Sequence, residues 1–255
     1  MSKLQALIFD VDGTLADTER DGHRVAFNRA FADAGLDWEW SVERYGELLA
    51  VTGGKERIHQ YLTTDYPEFE PPGDRREWIA GLHKAKTAHY TRLIEENVVP
   101  LRPGVKRLLQ EARDAGLRLA IATTTTPANV TALLQTALGA DSLDWFEVIA
   151  AGDIVPAKKP APDIYHYALQ ALQLEPEACL VFEDSEAGLQ SAKQANLQTV
   201  ITVNGYTQAQ DFAGAALVLD HLGEPSLPFQ VLAGPANGAT LFDLQLAAYL
   251  QTQTP

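Results

Sequence analysis

The 255-residue sequence has a single cysteine, Cys179, so no intrachain disulfide can form. That usage fits a reducing compartment. Basic residues are also scarce: 20 Lys and Arg stand against 34 Asp and Glu, a net charge of −14. A surface of that sign repels nucleic acid and anionic lipid, so neither is an expected partner. No stretch approaches the roughly 18 uncharged apolar residues of a membrane span. The N-terminal run Ala6-Leu7-Ile8-Phe9 is too short for a signal-peptide core and ends in acids. A cytoplasmic monomer acting on a small molecule is the expectation. What is present is a normal globular balance, 46% apolar and 21% charged residues, which excludes wholesale disorder. At roughly 150 residues per domain, the length allows one large domain or two linked ones.

The chain divides by periodicity. Leu4 to Phe9 is an apolar run stopping at Asp10 and reads as a buried strand. From Thr18 to Glu96 the pattern is helical. Val25, Phe27, Ala30, Phe31 and Ala34 mark one face, with Gly35 as its C-cap. Further helices are predicted around 41–50, 55–62 and 75–96, with a Pro-rich loop over 64–74. After Pro100, helices and strands alternate. A helix is predicted from Pro103 to Ala115, with Pro103 in its first turn. Strands follow at 117–122, 147–150, 179–182 and 199–203, with helices between them. Such alternation predicts an α/β fold, a parallel sheet covered on both faces. Strand 1 then belongs with the second half, and the helical block interrupts it. The expected division is a core of residues 1–17 and 97–223, a helical cap of 18–96 and a tail of 224–255. The tail reads equally as a docked helix near Leu241 to Leu250 or as partly disordered chain.

Four short patterns fall at strand ends, where ligands bind in open parallel sheets. Asp10 and Asp12 lie two apart, so an extended chain points both the same way. Two close carboxylates invite a cation or a shared proton. Asp and Gly also simply end strands. Glu183-Asp184 closes another apolar strand, and acids buried at two strand ends need a counter-ion. Mg²⁺ is the natural one for oxygen ligands. Thr123, Thr124 and Thr125 lead into a helix start, as an anion cradle or as ordinary capping. Lys158-Lys159-Pro160 places a lysine in an extended loop, over the site or on a solvated surface.

Together these patterns resemble the haloacid dehalogenase superfamily of phosphotransferases. The resemblance spans nearly the whole chain to about residue 222 and implies a Rossmann-like core with an inserted all-helical cap. It implies that Asp10 attacks phosphorus and forms an aspartyl phosphate. Asp12 is then the acid that protonates the leaving group and the base that activates water. Mg²⁺ would be held by Asp10, Asp184 and the backbone carbonyl of Asp12, with Glu183 supporting the metal site. Thr123, Thr124 and Lys159 would hold phosphate oxygens.

The block 18–96 adds Glu19 and His23 on one helix face, Gly53-Gly54-Lys55-Glu56-Arg57 at a helix start, and His83 and Lys86 on another face. Each is also readable as solvated helix surface, and His23 as part of a hinge. With the Thr and Lys-Lys-Pro patterns, they resemble the CbbY-type sugar phosphatases. Those enzymes remove the 1-phosphate of xylulose 1,5-bisphosphate, an inhibitory by-product of Rubisco. By charge and position, Lys55, Arg57, His83 and Lys86 are candidates for a second anion site, and Asn129 for a hydrogen bond to sugar or phosphate. A β-phosphoglucomutase-like isomerase would share every core residue and stands as the alternative.

Overall fold

The computed structural model describes residues 4–96 and 99–253. A seven-stranded sheet runs in the order β3-β2-β1-β4-β5-β6-β7. Its strands are β1 (Ala6–Phe9), β2 (Arg118–Thr123), β3 (Val148–Ala151), β4 (Cys179–Glu183), β5 (Gln198–Thr202), β6 (Leu217–Leu219) and β7 (Val231–Ala233). All neighbours pair parallel except β7, which runs antiparallel to β6. β1 lies inside the sheet, between β2 and β4, and all four of its residues are buried.

That burial explains the unbroken apolar runs. Leu7 and Phe9 point to one face, where α5 (Val105–Asp114), α6 (Pro127–Leu138) and α9 (Leu244–Thr252) complete an apolar cluster. Ala6 and Ile8 point to the other, against α7 (Asp163–Leu172) and residues of α8 (Glu186–Gln194). Both sides of the pleat meet helices, so neither needs polar residues. Phe9 stacks on Phe182 of β4 at 4.6 Å between ring centroids. Burying each such ring is worth about 1.5–3 kcal/mol.

The helical block holds α1 (Arg24–Asp33), α2 (Val42–Leu48), α3 (Gly54–Thr64) and α4 (Arg75–Glu95). It has its own aromatic-rich cluster, including Phe27, Phe31, Trp38, Trp40, Tyr45 and Tyr61. Before α1, Glu19–His23 form a single π turn that flows straight into it. Where the chain returns from the block, Arg102 N donates to Leu15 O at 2.9 Å, so the outgoing and returning segments are stitched together. Residues 97 and 98 of the return crossing lie outside the described residues.

Several expectations need correction. Helix α5 starts at Val105 with Gly104 as its N-cap residue, so Pro103 lies before the helix. The sequence pattern would need Pro103 helical, but Arg102 and Pro103 belong to the stitched return segment instead. Ala34 is exposed beyond the end of α1, while Phe27, Ala30 and Phe31 are buried as expected. β6, β7 and the π turn were not expected. The chain beyond residue 223 supplies β7 and α9, and Phe242 and Leu250 are fully buried. Among the described residues, no helix is long and apolar enough to cross a membrane.

Candidate active site

The carboxyl ends of β2, β1 and β4 stand side by side and deliver Thr123, Asp10 and Glu183-Asp184 to one spot. Pairing continues past β1, with Asp10 N donating to Phe182 O at 3.0 Å. Carboxylate oxygens of Asp10, Glu183 and Asp184 lie within 4.8 Å of one another. Lys159 reaches over them: its Nζ donates to Asp10 Oδ1 at 2.6 Å, Glu183 Oε1 at 2.5 Å and Ala122 O at 2.9 Å. Tyr165 OH also donates to Glu183 Oε1, at 2.6 Å. Glu183 is therefore committed to protein donors, while Asp184 Oδ2 accepts from Asn204 Nδ2 at 2.6 Å. Two glycines make this density possible. A Cβ on Gly13, whose φ is +83°, would sit 2.3 Å from Asp184 Oδ2, and one on Gly188 1.9 Å from Glu183 Oε2.

The electrostatics expose an imbalance. Burial pushes the Asp10 carboxyl up to about 7 despite the pull of Lys159, with Glu183 adding to the rise. Burial, then Asp10 and Glu183, drive Asp184 well above the usual carboxylate range, and Arg102 and Asn204 offset only part of this. Asp10 and Glu183 share Lys159, and Asp184 beside them is offset only in part by Asn204 and Arg102, an excess of negative charge that a divalent cation would remove. The donors are all oxygen and tightly spaced, which fits a hard ion such as Mg²⁺.

Asp12 faces the other way. Its Oδ1 accepts from Thr18 Oγ1 at 2.5 Å and from His23 Nε2 at 2.8 Å. Behind the ring, Lys86 Nζ meets His23 Nδ1 at 2.6 Å. An ammonium only donates, so Nδ1 accepts and the ring proton sits on Nε2, aimed at Asp12. Burial alone would raise Asp12; the His23 ring and the hydrogen bond it donates, the Thr18 hydroxyl and the Lys86 ammonium outweigh it and hold the carboxyl well below its usual range. The π turn carries His23 into this line, and Tyr90 stacks on it at 4.1 Å. Such turns recur at functional sites. Burial lowers the Lys86 ammonium to about 8. If its charge is needed, kcat/KM should fall above about pH 8, and a pH profile of Lys86→Met should lack that limb. A basic limb that persists in the variant would assign the titration elsewhere.

Two cavities adjoin here. One of about 560 Å³ is lined by Asp10, Asp12, Thr123, Thr124, Lys159 and Asp184, among others. A smaller one of about 90 Å³ is lined by residues including Gly53, Gly54, Lys55, Arg57, His83, Lys86, Thr125, Asn129, Asp153 and Lys158. Asp12, Glu19, Gly53, Arg57 and Thr124 border both. The structure thus brings all the sequence-predicted residues to one region, but not all as free groups. Arg57 is buried and donates to Tyr45 OH at 2.8 Å and Leu48 O at 3.2 Å, which ties it into the helical block. Glu19 Oε2 accepts from Tyr45 OH at 2.5 Å. Lys55 pairs with Asp153 at 2.5 Å. His83 is not a cation as anticipated: burial, helped by Lys86 and Lys55, lowers it to about 3. Asn129 Nδ2 donates to Thr125 Oγ1 at 2.8 Å, and its buried Oδ1 has no protein partner.

Thr18, Tyr45, Asp153, Tyr165 and Asn204 join the site without a motif to mark them. Asn204 alone left a trace: it follows β5, the strand next to β4, at the sheet's carboxyl edge.

An aspartate at a strand end, a buried lysine over it and a carboxylate cluster on a parallel sheet define a hydrolase of the haloacid dehalogenase type. Residues 4–196 match the model of the haloacid dehalogenase-like hydrolases, and the chain belongs to that family. Within it, the chain is 50% identical over 235 residues to the plasmid-encoded protein CbbY of Cupriavidus necator, covering 92% of each. The crystal structure of CbbY from Rhodobacter sphaeroides in complex with phosphate superposes with a TM-score of 0.80 and 47% identity, over 86% of this chain and 94% of that one. An aspartate-to-asparagine variant of the same protein, in complex with xylulose 1,5-bisphosphate, gives 0.79 and 45%, over 88% and 98%.

Proposed function

We propose that this hydrolase is a Mg²⁺-dependent sugar-phosphate phosphatase that removes the 1-phosphate of xylulose 1,5-bisphosphate, leaving xylulose 5-phosphate and phosphate. The observation that carries the reading is the pairing of two anion sites. A carboxylate–lysine nest at Asp10 adjoins a second cavity edged by Lys55, Arg57, Lys86 and Lys158. A bisphosphate needs both.

Asp10 attacks phosphorus opposite the sugar oxygen. As the Asp10–phosphorus bond forms, the phosphorus–sugar bond breaks, and Asp12 gives its proton to the departing alkoxide. A substrate dianion beside Asp12 favours the protonated form required for that half. In the second half Asp12, held as a carboxylate by His23 and Thr18, takes a proton from the attacking water. Asp10 is then released and phosphate leaves. Lys159 and Thr123 steady the phosphoryl oxygens, and Thr124 borders the same cavity. When bound by Asp10, Asp184 and the Asp12 carbonyl, Mg²⁺ supplies positive charge that offsets the carboxylates and the phosphoryl oxygens. Asn129 Oδ1 offers an acceptor to a sugar hydroxyl.

The test is phosphate release from pentulose and pentose mono- and bisphosphates. Free phosphate from xylulose 1,5-bisphosphate, lost in a chelator and restored by Mg²⁺, is the expected result. A rearranged ester with no free phosphate would point to the isomerase, and full activity in chelator would remove the metal from the reaction.

A further inference from the structure

Within the small cavity Asp153 has no part in the reaction described so far. Asp153 follows Gly152 just beyond β3, on the sheet side of the cleft. Its Oδ2 lies 2.5 Å from Lys55 Nζ on α3, across the cleft, and its Oδ1 lies 3.0 Å from Lys158 Nζ on its own side. Lys158 also reaches Glu56 Oε2, at 3.4 Å. We infer that Asp153 determines specificity between singly and doubly phosphorylated substrates, as the internal counter-ion that a distal phosphate displaces. The inference rests on the bisphosphate reading above.

Two lysines from opposite walls converge on one point and need an anion between them. Asp153 supplies one charge, divided between the two. A phosphate supplies nearly two charges and three acceptor oxygens in the same space. Among the described residues Asp153 is held by those lysines: its side chain is 60% exposed, and its hydrogen-bonding contacts are with Lys55 and Lys158. It can therefore swing into water without leaving a buried group unpaired. A bisphosphate takes over the lysines and keeps the walls bridged. A monophosphate leaves Asp153 in place and draws nothing from the second site. The carboxylate thus competes only with substrates that carry a second anion.

The experiment compares the wild-type protein with Asp153→Asn, which keeps the shape and removes the charge. Initial rates are measured on xylulose 1,5-bisphosphate and on the corresponding 1-phosphate. The ratio of kcat/KM for bisphosphate over monophosphate should rise about 3–10-fold, carried by KM, in keeping with the modest worth of exposed ion pairs. An unchanged ratio, or a higher KM for the bisphosphate, would overturn the inference. A second arm does not depend on turnover. Calorimetry on the Asp10→Asn protein, with and without Asp153→Asn, compares 1,5-pentanediol bisphosphate with pentyl phosphate. Tighter binding of the bisphosphate alone is expected, and equal shifts for both ligands would refute the role. If neither sugar ester is hydrolysed by the wild type, the substrate reading fails while calorimetry still decides the part played by Asp153.

Discussion

Asp10→Asn is expected to lower kcat by about 10⁴-fold or more, the scale seen when a covalent nucleophile is removed. The amide is nearly isosteric, so Lys159 and the strand ends keep their places, but it cannot form the acyl phosphate. Stability should move the other way. Three buried carboxylates crowd together, and burial already pushes Asp10 up to about 7. Removing one negative charge relieves that crowding, so the metal-free variant should melt no lower than the metal-free wild type. Added Mg²⁺ should stabilise the wild type, since only the folded state presents the cluster. Thermal melts in chelator and in Mg²⁺, set beside single-turnover rates, check both halves. Near-normal turnover would sink the covalent route; a lower metal-free Tm would mean that Asp10 is held chiefly by Lys159.

Arg102→Ala should produce the largest loss of stability. The guanidinium is buried and donates to the carbonyls of Gly13, Thr202, Val203 and Asp220, the last three at 2.9, 2.5 and 2.7 Å. Its exposed ion-pair partner, Asp17 at 3.3 Å, adds little. Truncation leaves four carbonyls without their donor, in a place water reaches poorly. Stranding buried polar groups costs about 1–3 kcal/mol each, less whatever relaxation recovers. A net loss of roughly 3–5 kcal/mol, or about 6–20 °C in Tm for a domain of this size, is expected. The effect should reach the chemistry, since Gly13 follows Asp12 and abuts Asp184. Denaturant melts and kcat measured well below Tm separate the two consequences. A change under about 1 kcal/mol would show that water replaces the guanidinium.

The parts legible in the sequence share a cause. β1, β2 and β4 are covered on both faces, so each appears as an apolar run, and the acids and threonines that end them stand out against it. Asp10, Asp12, Thr123, Glu183 and Asp184 could be picked by that contrast. β6 and β7, at three residues each, are too short to carry a period. The π turn at Glu19–His23 has no composition of its own, yet it sets where His23 points. Cross-cleft partners were hidden for another reason. Lys55 and Asp153 stand 98 positions apart, and each alone is an ordinary surface charge. His83 was misjudged as a cation because its protonation depends on burial, which only the packed fold provides.

The interior place of β1 has a consequence for how the chain is made. Its partners β2 and β4 begin at residues 118 and 179, with the whole helical block coming between. A ribosome adding roughly 5–20 residues per second needs about 10–35 s to travel from β1 to the end of β4. Until β2 is complete at Thr123, Ala6-Leu7-Ile8-Phe9 has no strand to pair with, and until β4 follows one of its edges stays open, while the helical block, with its own aromatic cluster, can already pack. An interior strand of the finished sheet is thus the segment that waits longest on the nascent chain. Slow codons between β2 and β4 should lower soluble yield more than the same codons placed within the helical block.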